Sequence, residues 1–262
     1  MSEYDSHEPR RALTVFRPDD ENKAWDRLLE LQKRDPVEGK RRLNNLPLFL
    51  TRHGLGRLLF LDMLYRKILD HHGIIIDLGG RLGANAATFL ALRGVHEPFN
   101  HGRKILMLDT FTGFQDIDPK DGTGVTMDVG YAAPPPDHAA YLEDVFACHE
   151  ALSPIAHMRK FEIRPGPYAE TLPAYLKEHP ETTVSLVYFD IDLYRPTRDC
   201  LVALLPYLSR GSILVFDELN RSDFPGETLA FDEVLGRGNY RLHRSPLTPD
   251  PCYIVYGEDG AR

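Results

Sequence analysis

Beyond Gly73 the chain reads as short, wholly apolar runs separated by helical stretches, the pattern of strands buried on both faces of a parallel sheet. The runs are Ile74 to Leu78, Lys104 to Leu108, Phe161 to Arg164, Val184 to Asp190 and Ser212 to Phe216, followed by Tyr240 to His243 and Cys252 to Tyr256. Five strand-then-helix units closed by two final strands predict an α/β fold. The expected architecture is a doubly wound, mostly parallel, seven-stranded sheet with an antiparallel hairpin at one edge. Ligands bind such sheets beyond the carboxyl ends of the strands, where the strand order reverses. Here those ends carry Asp77, Asp109, Gly166, Asp190 with Asp192, and Asp217 with Glu218. Sheet packing alone does not call for that succession of carboxylates, although each taken singly also serves as a turn or helix-cap residue.

Upstream, the spacing predicts helices from Asn22 to about His72. Trp25, Leu28, Leu29 and Leu31 recur on one face, and Leu55, Leu58, Leu59, Leu61, Leu64 and Ile68 do so again after the break at Pro36. Residues 1–72 are therefore expected to form an N-terminal helical extension that completes an acceptor pocket or an oligomer interface, and 73–262 the main domain. An apolar fraction of 42% and a charged fraction of 27% are ordinary globular values. The formal charge of -8 argues against a nucleic-acid partner, which needs clustered Lys and Arg. Cys148, Cys200 and Cys252 are odd in number and widely spaced, so neither a disulfide framework nor a zinc site is suggested. The charged start MSEYDSHEPRR is unlike a secretory signal, and no run approaches the roughly eighteen apolar residues of a membrane span. The expectation is a cytoplasmic protein without a membrane partner.

The stretch Ile76-Asp77-Leu78-Gly79-Gly80-Arg81-Leu82-Gly83 follows a strand and opens the helical ANAATFLALRG. Glycines at such a corner let the backbone pass close to a ligand, and the helix that follows offers free N–H groups. A dinucleotide GxGxxG would require glycine at position 78, which is Leu78. The pattern instead is D-x-G-x-x-x-G at Asp77, Gly79 and Gly83, similar to the first motif of class I methyltransferases, whose acid and glycines bracket S-adenosylmethionine. Asp109 and Thr110 close the second strand, LMLDTFTGF, where that family holds the ribose diol; a carboxylate accepts two hydrogen bonds at once. Asp109 capping a turn with Thr110 is the alternative.

In YFDIDLYRPT, Asp190 and Asp192 lie two apart at a strand end and share a face if the strand continues. Two carboxylates in one space repel unless a cation lies between them. The next strand ends VFDELN, adding Asp217 and Glu218. Oxygen donors of this kind suit a hard divalent cation. An alcohol hydroxyl is a very weak acid, so its reaction at neutral pH needs a Lewis acid and a base. The assignment is Asp190, Asp217 and Glu218 as metal ligands, with Asp192 as general base.

FDIDLYRPT followed by VFDELN resembles the macrocin O-methyltransferase family of antibiotic-sugar enzymes, as do LDTFTGF, RPGPYAETLP and FPGETLAFDEVL. The similarity runs from about Leu55 to Tyr256. It implies a Rossmann-like methyltransferase fold and S-adenosylmethionine-dependent methylation of a rhamnose-like deoxysugar, nucleotide-linked or glycosidic, in secondary metabolism. It further implies magnesium held by Asp190, Asp217 and Glu218, Asp192 as base, and a closed homo-oligomer. Asp217-Glu218 departs from the family's usual Asp-Asp by one methylene.

The segment from Asp116 to His138 is long and lacks periodicity, as lids and disordered surface loops both do; as a lid, its expected acceptor contacts are Tyr131 and His138. Arg195 and Arg221 lie near the acids and either pair with a substrate diphosphate or form salt bridges. Two rival activities share these residues. The D-x-D of Asp190 and Asp192 also fits a metal-dependent sugar-nucleotide glycosyltransferase, and a catechol would satisfy the same metal.

Overall fold

The computed structural model describes residues 19–123 and 127–258. The N-terminal stretch MSEYDSHEPRR and residues 124–126 of the 116–138 loop lie outside the described residues. The chain divides after Leu58 into two compact units.

The first unit holds α1 (Asp19–Lys33), α2 (Lys40–Asn44), a 3-10 turn at Leu46–Phe49 and the start of α3 (Arg52–Lys67). Trp25 and Leu28 are half-buried whereas Leu29 and Leu31 are exposed, so the apolar face expected of α1 is narrower than its leucines suggest. The Trp25 ring stacks on His53 at 6.3 Å.

The second unit is the sheet domain. β1 (Ile74–Leu78), β2 (Ile105–Asp109), β3 (Phe161–Pro165), β4 (Val184–Phe189) and β5 (Leu208–Phe216) alternate with α4 (Ala84–His96), α5 (His138–Ala151), α6 (Tyr168–Glu178), α7 (Tyr194–Leu204) and α8 (Pro225–Val234). β6 (His243–Arg244) and β7 (Cys252–Val255) complete a seven-stranded sheet in the order β3-β2-β1-β4-β5-β7-β6. β7 runs antiparallel to β5 and to β6, which bears out the expected edge hairpin. The sixth strand is shorter and later than Tyr240 to His243. Tyr240 instead stacks its ring on Tyr256 at 6.1 Å.

Because side chains alternate along a strand, β1 feeds both cores. Ile74, Ile76 and Leu78 join Phe189, Phe216 and Leu201 on one side, while Ile75 joins Met107, Tyr188 and Phe89 on the other. The buried face of α3 begins at Phe60 and continues through Leu61, Leu64, Tyr65 and Ile68; Leu55, Leu58 and Leu59 are exposed. No helix of the described residues is long and apolar enough to cross a membrane.

Order reverses between β1 and β4, on either side of which the chain proceeds outward, and the site lies at this switch point.

Candidate active site

The parallel register brings four strand tips to one level. Leu78 pairs with Leu108 and with Phe189, and Phe189 pairs with Phe216. The next residues, Gly79, Asp109, Asp190 and Asp217, therefore form a row across β1, β2, β4 and β5. Backbone bonds continue the ladder into it: the Gly79 N–H donates to the Leu108 carbonyl, that of Asp190 to Leu78, and that of Asp217 to Phe189, at 2.9 to 3.1 Å. Neighbouring strands lie about 4.8 Å apart, so Asp190 and Asp217 start side by side.

The glycine corner is built as its sequence predicts. Gly79 has φ +83°, and a Cβ there would lie 2.0 Å from the Asp190 carbonyl oxygen. Only glycine lets this turn rest directly on the acidic turn beside it. Asp77 is fully buried beneath the corner, and a Cβ on Gly80 would come within 2.5 Å of its Oδ2. Gly83 takes a left-handed conformation at the start of α4, with Leu142 of α5 packed over it. The corner, its buried acid and the start of α4, which has no side-chain cap at Gly83, fit the amino-acid end of S-adenosylmethionine.

Asp109 is 6% exposed and accepts two backbone hydrogen bonds, Oδ2 from Arg81 at 2.9 Å and Oδ1 from Phe111 at 2.6 Å. Burial pushes its carboxyl above the usual range against those two donors. The bonds fix the carboxylate, and each oxygen keeps a further lone pair. The Thr110 hydroxyl donates to the Gly113 carbonyl at 3.0 Å and accepts from the Thr112 N–H at 3.3 Å, closing the turn.

The acids after β4 are arranged differently from the expectation. β4 ends at Phe189, and Asp192 has φ +68°, so Asp190 and Asp192 do not share a strand face. The chain curls back at Asp192 through a left-handed residue, a conformation that Asp and Asn tolerate better than most. Burial raises the Tyr168 phenol, and the charges of Asp109, Cys200, Asp190 and Asp192 add to the effect, so the tips of β2 and β4 both bear on this ring.

Just after β5, Asp217 Oδ1 accepts the Tyr188 hydroxyl at 2.5 Å. Glu218 is 3% exposed, with Oε2 3.4 Å from Nε of Arg221. Arg221 also pairs with Asp223 at 2.7 Å and Asp250 at 3.3 Å, and Arg195 pairs with Asp118 at 2.7 Å. Both arginines thus form salt bridges within the domain. Among the described residues, no three His, Cys, Asp or Glu side chains are grouped as they are around a metal ion. Asp190, Asp217 and Glu218 fit a hard divalent ion in donor chemistry and in backbone placement, but their carboxylates are not drawn to one point.

Two residues that sequence reasoning passed over shape this site. Glu227, on the first turn of α8, is fully buried, and its Oε1 accepts the Glu218 N–H at 3.0 Å. Burial pushes its carboxyl well above the usual range, and the charges of Asp192, Glu218 and Asp217 reinforce that. Asp121, in a 3-10 turn at Pro119–Asp121, is also fully buried and accepts the Tyr194 N–H at 2.6 Å. Gly226 lies between them: a Cβ there would stand 2.2 Å from Asp121 Oδ1, 2.6 Å from the Tyr194 nitrogen and 3.1 Å from the Asp192 carbonyl oxygen. The PGE of FPGETLAFDEVL is the trace of this contact in the sequence, because a small residue is needed where the Asp121 carboxylate meets the backbone at Asp192 and Tyr194.

The first part of the 116–138 loop is thus pinned to the acidic turn. Its far end is held by Tyr131, whose carbonyl accepts the Phe114 N–H at 2.9 Å and whose ring packs on Phe114 at 5.3 Å. His138 is the first residue of α5 and not a loop residue.

Taken together, the strand order, the glycine corner after β1, the buried carboxylate after β2 and the acids after β4 and β5 define a class I methyltransferase. No protein-family model matches the chain, and neither does any curated protein. Solved structures do. The crystal structure of CalS11, a calicheamicin methyltransferase, is 42% identical with a TM-score of 0.90, over 93% of this chain and 95% of that one. The apo structure of CalS11, there described as a TDP-rhamnose 3'-O-methyltransferase of calicheamicin biosynthesis, is 39% identical with a TM-score of 0.82, over 93% and 97%. The O-methyltransferase NovP shares the fold at 19% identity and a TM-score of 0.59, over 77% and 80%. The chain belongs to the CalS11 family of S-adenosylmethionine-dependent O-methyltransferases. The resemblance to antibiotic-sugar enzymes read from the motifs is borne out, and the glycosyltransferase alternative falls.

Proposed function

We propose that the enzyme transfers a methyl group from S-adenosylmethionine to a hydroxyl of a rhamnose-type nucleotide deoxysugar, with the help of a divalent ion such as magnesium. The observation that carries the substrate is the 39% identity, over 93% of the chain, to a TDP-rhamnose 3'-O-methyltransferase. Asp77, Gly79 and Gly83 hold the amino-acid end of the donor, and Asp109 holds its ribose, with Thr110 fixing the turn. Asp190, Asp217 and Glu218 would hold the ion. When bound, it polarises the acceptor oxygen and eases its deprotonation.

Asp192 takes the acceptor proton on a carboxylate oxygen. Its left-handed turn carries the side chain away from the β4 line, leaving Asp190 and Asp192 in different roles. The glycine corner and the acid turn meet at Gly79 and Asp190, which supports a reading in which donor and acceptor bind side by side. Much of the rate comes from that alignment. The 116–138 segment, pinned through Asp121 and Tyr131, serves as a cover for the acceptor.

The experiment is transfer of labelled methyl from S-adenosylmethionine to TDP-rhamnose, to rhamnosyl glycosides and to catechols. Methylation of TDP-rhamnose alone supports the proposal. Turnover confined to glycosides or catechols would replace its substrate class.

A further inference from the structure

Glu227 comes from the first turn of α8 rather than from a strand tip. It is 0% exposed, and only one of its two oxygens is engaged: Oε1 accepts the Glu218 N–H at 3.0 Å, while buried Oε2 has no hydrogen-bond partner among the described residues. A buried polar atom without a partner is costly, and a carboxylate oxygen especially so. The charges that add most to the effect of burial on Glu227 are those of Asp192, Glu218 and Asp217, all of its own sign. Its position is fixed from both sides. Gly226 is wedged against Asp121, Tyr194 and the Asp192 backbone, and the Glu218 amide holds the carboxyl itself.

We propose that Glu227 belongs to the cation site, its Oε1 fixing the main chain at Glu218 and its Oε2 supplying a further oxygen to the divalent ion. The inference rests on the metal dependence proposed above. It explains why a helix residue buries a carboxylate next to like charges, and why the first turn of α8 carries a glycine that lets it approach so closely. A fourth carboxylate also raises the negative charge of the set, which strengthens binding of a hard ion.

The test compares binding of Mn(II), followed by its electron paramagnetic resonance signal, in wild type and Glu227→Gln, with calorimetry of S-adenosylhomocysteine alongside. The amide keeps an acceptor for the Glu218 N–H, so the fold and the cofactor affinity are expected to hold. Mn(II) affinity is expected to fall about 10- to 100-fold. A variant that binds Mn(II) as tightly as wild type overturns the inference and leaves the metal reading standing. Wild type that binds no Mn(II) overturns both. A second measurement needs no substitution: in wild type labelled with carbon-13 at the glutamate carboxyls only, Mn(II) electron-nuclear double resonance is expected to show couplings from both Glu218 and Glu227. A single glutamate coupling, or none, contradicts it.

Discussion

Asp192→Asn is expected to lower kcat by about a hundredfold to ten-thousandfold, the usual range for removal of a general base, while leaving S-adenosylhomocysteine affinity at its wild-type value. The substitution is clean because asparagine also tolerates the left-handed backbone, φ +68°, that Asp192 adopts. It keeps the shape and removes the capacity to take a proton. Calorimetry and initial rates on the same preparation separate the two effects. Substantial residual turnover would pass the base role to another group and leave Asp192 a turn residue.

Gly79→Ala is expected to damage the fold and the cofactor site together. The new methyl would stand 2.0 Å from the Asp190 carbonyl oxygen, and φ +83° is a conformation that alanine avoids. Backbone strain and the forced separation of two strand tips together cost at least about 3 kcal/mol, a fall in melting temperature of roughly 6–12 °C for a domain of this size. S-adenosylhomocysteine binding is expected to be lost as well, because the corner moves relative to Asp109. A variant that melts and binds like wild type would show that the contact between the glycine turn and the acid turn is soft.

Much of this was legible in the sequence for a simple reason. Strands buried on both faces have no polar positions, so Ile74 to Leu78 and Val184 to Phe189 stand out as unbroken apolar runs, and their last residues mark the site. The edge gave a weaker signal. His243–Arg244 is two residues long and partly exposed, whereas the aromatic character of Tyr240 reflects a ring stacked on Tyr256. Spacing alone placed Asp190 and Asp192 on one strand face; it could not show that the chain curls at Asp192. Arg195 and Arg221 could be read as anion-binding groups, but their carboxylate partners Asp118, Asp223 and Asp250 come together only in the folded chain. Glu227 escaped notice because a glutamate in the first turn of a helix is ordinary, and its burial depends on Gly226 meeting the turn at Asp192 and Tyr194.

The claim on which the account turns is that acids at the tips of β4 and β5 act through a divalent ion beside the sulfonium donor. Its most direct test is methyl transfer to TDP-rhamnose by enzyme held in excess chelator and then supplied with magnesium. Activity that vanishes with the chelator and returns with the ion, while S-adenosylhomocysteine binding stays constant throughout, is the predicted result. Full turnover in the chelator would contradict it.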